Sequence, residues 1–226
     1  MTDAPHTLNQ FWPNCSRRSS WWALAAACAF PLVGCQETSP WSAIPEGAQV
    51  LALGDSVTFG TGASPGEDWP RLLADRTGWH IVNAGVPGDT AQNARSRIGP
   101  LLSEHRPALV IIELGGNDFL RRRAPALVKE DLRDLVRQAK AHGAQVVLVG
   151  VPAPSLVAAV ASSLSDASLY SELAQEEGVV FVADVLSEVL SESELRADPI
   201  HPNARGYQQF AEGLYQRLKA LGVVAP

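Results

Sequence analysis

From residue 49 onward, short runs of leucine and β-branched residues alternate with longer stretches whose apolar positions recur at helical spacing. The runs are Gln49-Val50-Leu51-Ala52-Leu53, His80-Ile81-Val82-Asn83, Leu109-Val110-Ile111-Ile112-Glu113-Leu114, Val146-Val147-Leu148-Val149 and Val179-Val180-Phe181-Val182. Apolar runs without alternation fit strands buried on both faces, as in a parallel sheet. Between them, Pro125 to His142 places Leu127, Val128, Leu132, Leu135, Val136 and Ala139 on one face, and Gly143 supplies a stop. Asn203 to Leu221 does the same with Tyr207, Phe210, Ala211, Leu214, Leu218 and Leu221, ahead of Gly222. Strand and helix alternating about five times, with no internal repeat, predict a doubly wound α/β domain over residues 48–222. It has three layers, about five parallel strands covered by helices on both faces.

Ahead of residue 48 the pattern changes. Arg17 and Arg18 precede an apolar run from Trp21 to Val33, shorter than the roughly 20 residues a bilayer-spanning helix needs. Basic, then apolar, then small residues read as a secretory signal. The run closes with Leu32-Val33-Gly34-Cys35, which resembles the lipobox of bacterial lipoproteins, where the cysteine is acylated and becomes the mature N-terminus. The resemblance implies a signal peptide over 1–34, lipid attachment at Cys35 and a membrane tether facing the periplasm. Gln36 after the cysteine hints at outer-membrane sorting. Residues 35–47, with Ser39, Pro40, Ser42 and Pro45, read as the linker to the domain. A signal cut elsewhere, releasing a soluble periplasmic or secreted protein, and a cytosolic protein with an apolar tail are the alternatives.

Composition then removes function classes. The chain of 226 residues, 46% hydrophobic and 19% charged, is neither disordered nor collagen-like. Lys plus Arg is 18 against 24 for Asp plus Glu, and the longest basic block is Arg121-Arg122-Arg123, which argues against a nucleic-acid partner. All three cysteines, Cys15, Cys28 and Cys35, precede the domain, so it holds neither a disulfide nor a cysteine metal site.

In doubly wound sheets ligands sit beyond the carboxyl ends of the strands. That rule selects Gly54-Asp55-Ser56-Val57, Ala84-Gly85, Gly115-Gly116-Asn117-Asp118 and the segment Asp198-Pro199-Ile200-His201. Ser56 follows a strand at a turn that Gly60 and Gly62 let bend sharply. It is a nucleophile, a helix cap or part of a phosphate loop, although neither P-loop nor G-x-G-x-x-G spacing is present. A serine nucleophile needs a histidine base, itself oriented by a carboxylate. His6 lies in the signal, His80 opens a strand, and His105 and His142 sit at helix ends, where the helix dipole accounts for them. His201 has Asp198 three residues before it on a loop entering the last helix. A carboxylate there can face Nδ1 and leave Nε2 for Ser56; the alternative is a capping Asp198 beside a surface histidine. Asn117 is either a turn residue or an amide that donates to an oxyanion. Gly85 offers a backbone N–H unobstructed by a Cβ, and with the Ser56 N–H these groups would form an oxyanion hole.

Gly-Asp-Ser, Gly, Gly-x-Asn-Asp and Asp-x-x-His, in that order, resemble the SGNH hydrolase superfamily of GDSL esterases and lipases. The closest resemblance is to the bacterial arylesterase/lysophospholipase/acyl-CoA thioesterase group. It rests also on Leu53, Trp69-Pro70, Asn83-Ala84, Gly88-Asp89-Thr90, Glu113-Leu114, Pro202-Asn203 and Gly206, and covers roughly Gln49 to Leu221. The resemblance implies a flavodoxin-like fold, Ser56 as nucleophile, His201 as general base and acid, and Asp198 as its orienter. It implies an oxyanion hole of Ser56, Gly85 and Asn117, no metal or organic cofactor, and a small ester, thioester or single-chain lipid as substrate. Asp55 and Asp118 are expected to hold loops by backbone hydrogen bonds; Glu113 has no catalytic role in this reading. The segment 152–168, rich in Ala and Ser, occupies the place of a loop that shapes the acyl pocket in this group; a surface helix packed through Leu156, Val157, Val160 and Leu164 is the alternative. Arg121 to Arg123 are a solvated run or a contact for an anionic head group. An O-acetylesterase or acetyltransferase of envelope polysaccharides, and a catalytically silent binding lipoprotein, are the competing functions.

Overall fold

The structure is a computed structural model that describes residues 41–152 and 163–225. The expected signal 1–34, Cys35, the start of the linker and most of segment 152–168 lie outside the described residues. The strands are β1 (Gln49–Gly54), β2 (His80–Gly85), β3 (Leu109–Glu113), β4 (Gln145–Val149) and β5 (Val180–Val182). They form one parallel sheet in the order β2-β1-β3-β4-β5. Among the described residues the helices are α1 (Ser56–Phe59), α2 (Trp69–Thr77), α3 (Ala91–His105), α4 (Gly116–Leu120), α5 (Pro125–Ala141), α6 (Ser168–Glu177), α7 (Val185–Ser191) and α8 (Ala204–Ala220). The expected doubly wound α/β architecture is thus the observed one. α3, α5 and α6 cover one face of the sheet; α2, α7 and α8 cover the other.

Local sequence explains where the covering helices begin. Asp68 caps α2 by accepting from Arg71 N–H, with Pro70 in the first turn; Thr90 caps α3 through Asn93 N–H, and Asn203 caps α8 through Gly206 N–H. Each cap satisfies a donor left open by the helix geometry. Central β3 is buried throughout, as its unbroken apolar run requires. β2 is different: its residues are half-buried or exposed, because it lies at the edge of the sheet. Trp69 of α2 meets Phe210 of α8 edge to face, ring centroids 5.8 Å apart, which locks the two helices together.

The chain joins this body ahead of β1. Ile44 is buried, its N–H donates to Val223 O at 2.7 Å, and it forms a parallel bridge with Val224. The strand order reverses on either side of β1. The crevice at such a reversal opens between the carboxyl ends of β1 and β3, where the segments holding Ser56 and Asn117 emerge.

Candidate active site

β1 ends at Gly54 and the chain turns at once into the single turn of α1, whose first residue is Ser56. Asp55 caps that turn: its Oδ1 accepts from Val57 N–H at 3.0 Å. Gly60, at φ 102°, closes it. Gly62 is needed for a different reason. A Cβ there would lie 2.4 Å from Pro202 O, so only glycine lets the Ser56 loop lie against the loop that carries His201. The Tyr207 hydroxyl of α8, donating to Thr61 O at 2.8 Å, ties the Ser56 loop to the helix that follows the His201 loop.

Ser56, His201 and Asp198 come together. His201 Nε2 is 2.9 Å from Ser56 Oγ, and His201 Nδ1 is 2.7 Å from Asp198 Oδ2. The other oxygen of Asp198 accepts from Ile200 N–H at 2.8 Å and His201 N–H at 2.9 Å, so the carboxylate is held by its own loop. Burial pulls the Asp198 carboxyl up, but the His201 ring and these backbone donors outweigh it and hold the group below the usual carboxylate range. An ionised carboxylate only accepts, so Nδ1 carries the imidazole proton and Nε2 presents its lone pair to the Ser56 hydroxyl. The loop is pinned at its base by Ala197 N–H to His201 O and Asn203 N–H to Leu195 O. This arrangement can remove the hydroxyl proton as Ser56 attacks an electrophile.

Asn117 enters from β3 on α4, after Gly115 at φ 126°, a position where a Cβ would collide with the Tyr170 hydroxyl at 2.1 Å. Its Nδ2 donates to Asp55 Oδ2 at 3.1 Å. Asp118 holds loops as expected: Oδ2 accepts from Ala91 N–H at 2.9 Å, and Oδ1 accepts from Arg123. Gly85 is engaged within its own strand. It is the last residue of β2, and its N–H already donates to Asn83 Oδ1 at 2.9 Å, so this amide is not free to receive an oxyanion. A side chain two residues back consumes the donor, which the strand pattern does not reveal. Arg123 forms ion pairs with Asp118 and Asp131, whereas Arg121 and Arg122 are exposed and form none among the described residues. Of segment 152–168, Pro152 and Asp166 form a bridge and Leu164 N–H donates to Ser191 Oγ; residues 153–162 lie outside the described residues.

One organising residue escaped the sequence reading. Arg97 of α3 pairs with Asp89 at 2.6 Å and donates to Ala84 O at 2.7 Å and Gly54 O at 2.8 Å, tying together the ends of β1 and β2. An arginine on an amphipathic helix reads as solvent-facing, and nothing in its spacing marks it. Among the described residues no group of three His, Cys, Asp or Glu side chains could hold a metal ion.

Known proteins resemble this chain in sequence and in fold. Residues 52–209 match the model of the GDSL-like lipase/acylhydrolase family. Esterase TesA of Pseudomonas aeruginosa is 34% identical over 179 residues, covering 76% of this chain and 88% of that one. Thioesterase 1/protease 1/lysophospholipase L1 of Escherichia coli is 33% identical, covering 76% and 84%. The crystal structure of TesA superposes with a TM-score of 0.68 at 34% identity, covering 76% of this chain and 99% of that one.

Proposed function

The chain belongs to the GDSL-like lipase/acylhydrolase family, and on that premise we propose that it is a serine esterase acting through Ser56, His201 and Asp198. The observation that carries this reading is the 2.9 Å contact between His201 Nε2 and Ser56 Oγ, which joins loops 145 residues apart in sequence. Ser56 Oγ attacks the acyl carbonyl carbon while His201 Nε2 takes its proton. Asp198 stabilises the imidazolium that results. The carbonyl oxygen, now an oxyanion, accepts from Ser56 N–H and Asn117 Nδ2. His201 then protonates the departing alcohol or thiol, leaving an acyl-serine. Water, deprotonated by the same imidazole, cleaves it and restores Ser56.

The third donor is assigned to Gly88 in place of Gly85. Gly88 sits in the turn closed by Asp89 N–H to Val86 O, at φ 79°, and its N–H makes no hydrogen bond among the described residues. Its carbonyl accepts from Arg121 Nη2 at 3.0 Å, which sets it beside the end of α4, the helix that carries Asn117.

The substrates proposed are aryl or short-chain acyl esters, lysophospholipids and acyl thioesters, in keeping with the names of the relatives. p-Nitrophenyl esters from acetate to palmitate, an acyl-CoA and a lysophospholipid, assayed beside Ser56→Ala and His201→Ala, test this. Hydrolysis that drops by about 10³-fold or more in both variants is expected. Full activity in Ser56→Ala, or a folded protein inert on every ester, overturns it. Lipid attachment at Cys35 and a periplasmic location belong to the same proposal, on the strength of Leu32-Val33-Gly34-Cys35. Metabolic labelling with a fatty acid, lost in Cys35→Ala, is the expected result.

A further inference from the structure

We propose that Asp55 is a positioning residue that fixes which end of the Asn117 amide faces the reacting carbonyl. This rests on Asn117 acting as an oxyanion donor. Asp55 is only 3% exposed, and its two oxygens do separate work. Oδ1 holds the turn of Ser56 through Val57 N–H, and Oδ2 reaches 62 residues along the chain to Asn117 Nδ2. No other hydrogen bond to the Asn117 side chain exists among the described residues.

A side-chain amide is nearly symmetric in shape and opposite in polarity at its two ends. Turned over, it would offer its carbonyl oxygen to a developing negative charge and raise the barrier. An ionised carboxylate only accepts, so Asp55 can hold the NH2 end alone. One N–H points to Asp55, and the second is left to donate elsewhere. Because Asp55 also precedes Ser56 in sequence, one side chain links the nucleophile to its amide donor. The backbone N–H of Ser56 and Nδ2 of Asn117 cannot drift apart without breaking that link.

Asp55→Asn tests the idea, because asparagine caps a helix as well as aspartate but brings an NH2 group that can hold the wrong end of Asn117. On p-nitrophenyl butyrate, kcat is expected to fall about 10- to 100-fold with KM changed less than about twofold, the pattern of a lost transition-state contact. Asp55→Ser, which keeps a capping oxygen but cannot reach Asn117, is expected to match it and serves if the first variant fails to fold. The decisive comparison is made with Asn117→Ala. In that background Asp55→Asn should change kcat by less than about twofold, because the group it positions is gone. Losses that multiply in the double variant, or an Asp55→Asn enzyme as fast as wild type while Asn117→Ala is slow, overturn the proposal. An Asn117→Ala enzyme at wild-type rate would instead overturn the oxyanion reading beneath it.

Discussion

Thr58 Oγ1 donates a hydrogen bond to Glu113 Oε2 at 2.8 Å, inside the protein beneath the turn that carries Ser56. The contact explains two residues at once. Burial, and then the charge of Asp55, push the Glu113 carboxyl well above its usual range, and the hydrogen bond its Oε2 accepts from Thr58 gives this buried group a partner. Gly54 lies against the same pair: a Cβ there would stand 1.9 Å from Thr58 Oγ1 and 2.8 Å from Glu113 O. Gly54→Ala must displace the end of β1, one residue before Asp55. We expect a loss of about 2 kcal/mol in denaturant unfolding together with reduced esterase activity. A fully stable, fully active Gly54→Ala protein would show that the turn is not packed as described.

Asp55 makes stability depend on pH. Burial raises its carboxyl from 3.8 to about 6, against the hydrogen bonds from Val57 and Asn117 that lower it. A group whose folded value is raised favours the folded state fully below its unfolded value, and that contribution is lost as pH climbs through the folded one. The window is therefore about pH 4 to 6. Asp55→Asn removes the titration, so its stability relative to wild type should improve between pH 4 and pH 7.5 by up to about 3 kcal/mol. Urea unfolding at the two pH values decides the matter; a difference that does not change with pH rules it out.

Tyr170 donates to Leu114 O at 2.7 Å from a fully buried position, directly below Gly115. Tyr170→Phe leaves that carbonyl unpaired, at a cost of about 1–3 kcal/mol. Hydrogen exchange at Gly116 and Asn117 should rise with it. Unchanged exchange would mean that the loop is held by its glycines alone.

Arg97→Lys keeps a positive charge near Asp89 but cannot span Ala84 O and Gly54 O as the guanidinium fork does. We expect about 1–3 kcal/mol of destabilisation and lower kcat, read by thermal unfolding and p-nitrophenyl ester hydrolysis. Wild-type values for both would remove Arg97 from the support of the site.

The parts legible in the sequence are those written in short, local codes. Continuous apolar runs marked the strands, and Asp198 and His201 lie close enough together for one turn of loop to orient the pair. Ser56 was legible because strand-end chemistry has few candidates in a chain with five histidines, of which His201 alone has a nearby carboxylate on a loop. What stayed hidden depends on where the chain returns. Asn83 looks like the end of an edge strand, yet its side chain engages the Gly85 amide. Glu113 looks misplaced until Thr58, 55 residues earlier, is seen against it. Arg97 is one polar position among several on its helix until three acceptors from other segments converge on it.

The bridge between Ile44 and Val224 brings the two ends of the folded body to the pole where β1 starts, while Ser56 stands at the pole where β1 finishes. The six residues of β1 separate the poles by about 20 Å. Grafting the protein to a bead, a sensor surface or a fusion partner through either end therefore leaves the mouth of the site pointing into solution. A short peptide joining those neighbouring ends would permit the chain to be reopened elsewhere, in a surface turn such as that at Gly143, with the reacting groups undisturbed.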